Sequence, residues 1–288
     1  MPHEAAPTHI LRREHRAMAT LFDAIVHGND EEHLDAVASA LFEEVDRVER
    51  LLSRFDRSNE VARINREAFN RAVKVDVELF ALLERCEHYT RLTRGHFDIA
   101  LPSGATMREV KLDESARTIR FTSERVKLDL GGIGKGYALD RCEAILRQFQ
   151  VKSALIHGGT SSVLALGSGA EGLGWPVGIR DAWGQSAESE AGLLRLTDHH
   201  LSSSAALDAK HAMESNIIAA PASPLREQAA CAVIASTGEA AEVYSTALLA
   251  MGRAAANDFV SRQSDLRVLW LERVDERTQM NWLTEPLT

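Results

Sequence analysis

The sequence predicts an α+β fold: a single domain with mixed sheets and packed helices. Apolar residues recur every three or four positions in four long stretches, and short β-prone runs surround them. The two kinds of segment alternate without a clean βαβ rhythm, which argues against a doubly wound layout. No internal repeat and no low-complexity linker divides the 288 residues, and 45% hydrophobic content supplies a core.

Leu34, Val37, Leu41, Val45, Val48, Leu52 and Phe55 mark a long amphipathic helix. Leu79, Leu82, Leu83, Cys86 and Thr90 mark a second, ending before Gly95. A third starts at a Gly-Lys turn and buries Ala138, Leu139, Cys142, Ile145, Leu146 and Phe149. The fourth runs from about Glu239, with Ala240, Val243, Tyr244, Ala247, Leu248 and Met251 inward. Strands are expected at 110–112, 118–121, 126–130, 153–156, 176–180, 193–196, 231–235 and 266–271. Glycine clusters at 157–160 and 167–174, and the stretch 181–192, read as loops.

A formal charge of −9 argues against a nucleic-acid partner. The first residues lack an apolar signal-peptide core and no apolar run reaches membrane-spanning length, so a soluble cytoplasmic protein without a membrane partner is expected. Cys86, Cys142 and Cys231 form no Cys-x-x-Cys pair and read as small buried hydrophobes. His199, His200 and His211 follow no metal-ligand spacing and read as loop residues, while His157 reads as packed.

The most informative segment is 128–140, LDLGGIGKGYALD. Val126, Leu128 and Leu130 alternate as in a strand; Gly131, Gly132, Gly134 and Gly136 then clear side chains from a turn into a helix. Free amides at the helix start and the charge of Lys135 suit a phosphate or pyrophosphate. On spacing alone, a glycine-rich turn with a solvated lysine fits equally well. The P-loop pattern fails, since Asp129 replaces its first glycine and Gly136 follows the lysine. The Rossmann spacing fails too, because the glycines fall at every second position.

Other motifs fall in order around this segment. They are Ser53-Arg-Phe-Asp-Arg-Ser58-Asn-Glu60-Val-Ala-Arg63-Ile-Asn65, Gly95-His-Phe-Asp98, Ala154-Leu-Ile-His-Gly158-Gly159, and Ala241-Glu242-Val-Tyr-Ser-Thr246-Ala247. Together they resemble the ApbE family of FAD:protein FMN transferases, from roughly Arg16 to Met251. The resemblance implies a flavin-binding domain over 16–275, with tails at 1–15 and 276–288. It also implies Mg²⁺-assisted cleavage of FAD, with FMN passed to a Ser or Thr of an acceptor flavoprotein and AMP released.

Cleaving a pyrophosphate calls for a metal and a cation to neutralise charge. Glu242 and Thr246, four residues apart, share one helix face, which the apolar pattern sets opposite the buried stripe. Catalytic roles are expected for Lys135, Glu242 and Thr246. The resemblance implies the Gly134 carbonyl as the third metal ligand beside Glu242 and Thr246. For the cofactor it implies Met18, Asp98, Gly131, Gly132, Lys135, Asp140, Gly158 and Gly159. Ser53, Ser58, Glu60 and Arg63 read as caps and braces of the helix end.

The chain also departs from the family pattern. The usual His-Ile-Ile-Asp-Pro segment reads Asn216-Ile-Ile-Ala219-Ala-Pro221, a Ser-Gly turn has become Ser202-Ser-Ser-Ala205, and the metal-site Asp is Glu242. Two further readings stay open: an FAD pyrophosphatase, and a catalytically degenerate flavin binder. Ser103-Gly-Ala-Thr106 matches the Ser/Thr-Gly-Ala-Thr/Ser element of acceptor proteins, so Thr106 is a candidate for self-flavinylation. The oligomeric state stays open.

Overall fold

Strand β1 (His9–Ala17) turns back into β2 (Thr20–Gly28) through only two residues, Met18 and Ala19. Both have positive φ, 51° and 57°, the mirror-image turn whose twist matches that of paired strands. A computed structural model describes residues 9–184, 189–206, 229–274 and 277–286. In it β1 and β2 open an eight-stranded sheet ordered β1-β2-β6-β7-β10-β11-β12-β13. The other strands are β6 (Ser153–Gly158), β7 (Ser162–Leu166), β10 (His199–Ala206), β11 (Ala229–Ala235), β12 (Arg267–Val274) and β13 (Arg277–Trp282). Every pairing along it is antiparallel.

Both faces of the sheet are covered. Ala229, Cys231, Val233 and Ala235 of β11 join the helical core, whereas Ala230, Ala232 and Ile234 face a second layer. That explains why this stretch is apolar without a break. The second layer is the hairpin β8 (Trp175–Arg180) with β9 (Glu190–Leu196), which seats Trp175, Val177, Ile179 and Leu196 on the sheet. The helical side comprises α1 (Glu31–Leu52), α2 (Glu60–Glu67), α3 (Val77–Leu92), α4 (Gly134–Gln148), α5 (Gly238–Met251) and α6 (Arg253–Val260). A small sheet of β3 (Val73–Lys74), β5 (Thr118–Phe121) and β4 (Val110–Asp113) flanks them. The cysteines are fully buried, as their apolar surroundings predict.

Four expectations need correction. Residues 126–130 form no ladder, although Val126, Leu128 and Leu130 are buried. The Asn65 side chain stands in for a neighbouring strand: its Oδ1 accepts from Leu128 N at 2.7 Å and its Nδ2 donates to Leu128 O at 2.9 Å. The first helix ends at Leu52, where Ser53 turns extended, and leaves Phe55 80% exposed. The expected tails carry edge strands, since β1 begins at His9 and β13 lies within 277–282; their sparse apolar content hides half-covered strands. The expected 181–192 loop gives way to β9 at Glu190.

A half-buried charge network joins the helices. Arg47 bridges Glu44 and Glu78, Arg141 reaches Glu44 at 2.8 Å, and Tyr137 donates to Glu78. Hydrogen bonds from Arg47, joined by Arg141, hold the Glu44 carboxyl down to about 2. A depressed carboxyl stabilises the fold above its unfolded value, and that contribution fades as pH falls through the folded value. Glu44→Gln is therefore expected to cost about 1 kcal/mol at neutral pH, after allowing for screening of the exposed guanidiniums. Urea titrations should show the difference vanishing near pH 2; a constant offset would refute the ionic origin.

Candidate active site at the crossing of two helix starts

The glycine-rich turn delivers α4 against the start of α5 in close backbone contact. A Cβ on Gly136 would overlap the Gly238 carbonyl, and one on Gly238 would overlap Gly136. Gly136 is thus required by helix packing, a role its motif did not reveal.

Each helix sends a carboxylate to the other's free amides. Asp140 of α4 accepts from Gly238 N at 2.6 Å and Glu239 N at 2.9 Å. Glu242 of α5 accepts from Gly136 N and pairs with Lys135 Nζ. Helix starts carry partial positive charge, so both placements are favourable. Burial pushes the Asp140 carboxyl up to about 6, opposed by His200.

α5 is enclosed almost all round, so Glu242 is only 4% exposed rather than lying opposite an apolar stripe. Arg85 braces the same turn through a two-point bond to Glu239 at 2.8 and 2.9 Å. Thr246, one turn beyond Glu242, lies 3.3 Å from Ser204 Oγ of β10. Ser245 joins Ser204 at 3.0 Å and donates to Ser202 at 3.3 Å.

Other expected residues lie at the turn or along the hairpin that carries Met18. Met18 lies over Gly134, its Cε 3.2 Å from where a Gly134 Cβ would stand. Gly158 pairs opposite Phe22, and Gly159, at φ 69°, fits against Thr20, two residues from Met18. Gly131 and Gly132 are exposed; Gly131 N donates to Asp129 at 2.9 Å, and Phe97 lies beside Gly132.

Asp98 and Asp140 point elsewhere. Asp98 is buried, with its oxygens taken by Ala100 N and Met107 N at 2.8 and 2.9 Å. It shapes the 98–107 loop, and burial raises its pKa. The Asp140 carboxylate faces α5 rather than the exposed glycines. Ser53 and Ser58 do brace the helix end: Ser53 Oγ accepts from Phe55 N, and Ser58 binds Asp56. Glu60 and Arg63 pair at 2.7 Å, also as braces. The Asn216–Pro221 segment and His211 lie outside the described residues.

Periodicity did not disclose the exposed aromatic wall. Arg54 pairs with Asp129 at 2.9 Å and holds its guanidinium 4.4 Å over the Phe55 ring. Through Asp129, which also accepts from Gly131 N, this links an exposed ring and the cation over one of its faces to the glycine turn, a surface suited to a planar ring system. A separate cavity of about 760 Å³ lies at the other end of α5, lined by Leu249, Met251, Arg253, Trp270, Glu272 and Trp282. It is remote from the carboxylates and the lysine, and we assign it no chemistry.

The sequence model of the ApbE family matches residues 18–104 and 100–270. The chain belongs to the ApbE family. It is 29% identical over 174 residues to the FAD:protein FMN transferase of Klebsiella pneumoniae (strain 342), covering 51% of this chain and 52% of that protein. Identity to the FAD:protein FMN transferase of Treponema pallidum (strain Nichols) is 26% over 187 residues, 52% of this chain and 51% of that one. The chain spans about half the length of these curated relatives.

Among solved structures it is similar to flavinyl transferase ApbE of Pseudomonas stutzeri, with a TM-score of 0.80 and 17% identity over 95% of this chain and 94% of that one. The ApbE protein of Thermotoga maritima gives 0.78 and 19% over 95% and 97%. These establish the ApbE fold, in agreement with the expected α+β class. Among the described residues no helix is long and apolar enough to cross a membrane.

Proposed function

We propose that this ApbE-family chain is a Mg²⁺-dependent FAD:protein FMN transferase acting on a Ser or Thr of an acceptor flavoprotein. The observation that carries this reading is the meeting of Lys135 and Glu242, 107 positions apart, at the start of α4. An acidic and a basic group are thereby held beside helix amides within a flavin-transferase family. Its relatives named FAD:protein FMN transferase support the reaction class.

The residues fit a magnesium ion chemically. Glu242, Thr246 and the Gly134 carbonyl are hard oxygen donors, and a hard ion accepts such a set together with waters. When bound, magnesium would neutralise and polarise the pyrophosphate oxygens. Lys135 supplies the second positive charge, and Phe55 with Arg54 offers a stacking face to a ring of FAD. The acceptor hydroxyl forms the new P–O bond to the FMN phosphorus. The bond to the bridging oxygen breaks, AMP leaves with that oxygen, and the hydroxyl proton passes to water.

Incubation with FAD, Mg²⁺ and an acceptor carrying a Ser/Thr-Gly-Ala-Thr/Ser element is expected to yield AMP and protein-bound flavin. AMP with free FMN would make the chain a pyrophosphatase, and unchanged FAD would make it a binder. Lys135→Ala should weaken FAD binding by roughly tenfold, the worth of one charge-assisted contact. Unchanged affinity by titration would remove Lys135 from the phosphates.

Thr106 supports a narrower second reading. It is exposed on the Asp98-shaped loop, and that loop packs on the 126–132 segment through the bond from Asp129 N to Ile99 O at 2.8 Å. Intact mass after incubation without an acceptor tests it: an FMN increment lost in Thr106→Val supports self-modification, and an unchanged mass excludes it.

A further inference from the structure

The Asp140 carboxylate that holds α5 is itself held from β10. His200 is 1% exposed, and its Nε2 lies 2.9 Å from Glu143 Oε2 and 3.5 Å from Asp140 Oδ1. Asp140 and Glu143, three positions apart on α4, present both carboxylates on one face. Its Nδ1 is buried with no hydrogen-bond partner. The Nε2 side of the ring engages α4, hydrogen-bonded to Glu143 and 3.5 Å from Asp140.

We infer that His200 is a positioning residue for the proposed transfer: through Asp140 it holds the first turn of α5, and with it Glu242, against the start of α4. The inference rests on the function proposed above. Three contacts in series carry it: His200 to Asp140, Asp140 to the amides of Gly238 and Glu239, and Glu242 back to Gly136 N.

Among the described residues, the charged groups at this junction are Glu143 and Arg147 from α4 and Glu239 from α5. Arg147 binds Glu143 at 2.8 Å, and Glu239 is itself paired with Arg85 of α3. The neighbouring His199 turns its ring toward the Thr197 carbonyl at 2.6 Å. Burial raises the Asp140 carboxyl to about 6, and His200 together with the two α5 amides opposes that rise.

His200→Leu is expected to lower kcat by roughly tenfold while KM for FAD stays within about twofold, the pattern of a lost supporting contact. The acid limb of its pH profile should shift upward, and amide exchange at Gly238 and Glu239 should speed up. His200→Gln, which retains an N–H donor, should restore kcat, the acid limb and slow exchange. If the leucine variant does not fold, His200→Met, of similar length and without a donor, takes its place.

Unchanged exchange at Gly238 and Glu239 in the variant lacking the donor overturns the inference, as does failure of His200→Gln to rescue. Absence of AMP formation by the wild type would defeat the transferase reading, and the exchange measurement would still decide the positioning. The ligand atoms of Asp140, Glu143 and His200 lie within 4.8 Å of one another, so Zn²⁺ titration is included. Tight stoichiometric Zn²⁺ binding lost in both variants would mark a metal site and overturn the positioning role.

Discussion

Glu242→Ala is expected to lower Mg²⁺-dependent AMP release by about 10² or more, the scale on which loss of one electrostatic stabiliser acts. The substitution removes the carboxylate proposed for the metal and strands two partners, Lys135 Nζ and Gly136 N–H. It should therefore also lower stability, because breaking a largely buried pair leaves an uncompensated charge. Lys135 retains 24% side-chain exposure, so the stability loss should stay near 2 kcal/mol, below that of a fully enclosed pair.

Glu242→Gln separates the effects, since its amide keeps the shape while losing the charge. Turnover should collapse in both variants, and melting should drop further in the alanine one. Full activity in either would remove Glu242 from the chemistry. Glu242→Asp tests the longer side chain: restored or raised turnover would mean the crossing tolerates the family's usual residue.

The second large effect concerns the fold. Gly136→Ala should destabilise by about 3 kcal/mol, the upper range for overpacking, because the new methyl meets backbone that cannot rotate away. For a chain of this size that is a fall in Tm of roughly 6–12 °C. Gly132→Ala is the matched control: its added Cβ would meet only Phe97, at an ordinary 3.6 Å, and no positive φ is involved. Calorimetry should leave the Gly132 variant within about 0.5 kcal/mol of wild type. Equal losses at the two positions would mean that the helix contact is not what Gly136 serves.

The sequence made α1, α3 and α4 legible because each buries one stripe, as Leu34 to Leu52 do in α1, and α5 because apolar residues run through it on all sides. It made the α4 start legible because glycines, lysine and helix onset are adjacent in the chain. Partnership across the chain was not legible. Nothing local to Asn65 says that its side chain replaces a strand beside Leu128, and nothing local to Asp140 says that it caps α5.

His200 was read as a loop residue because a histidine beside another carries no period; β10 buries it through pairing with β7 and β11. Phe55 shows the opposite error. It continues the helical spacing of α1 by number, but the helix has already stopped at Leu52.

The buried cysteines have a practical consequence. Cys86, Cys142 and Cys231 have no measurable exposure, and desolvation pushes the Cys142 thiol up to about 12. A thiol reacts as its thiolate, so all three should be silent toward maleimides in the folded chain. The wild-type protein is thus already a blank background for labelling. One cysteine introduced at exposed Thr106 would carry a single dye on the 98–107 loop, with no native residue to remove first.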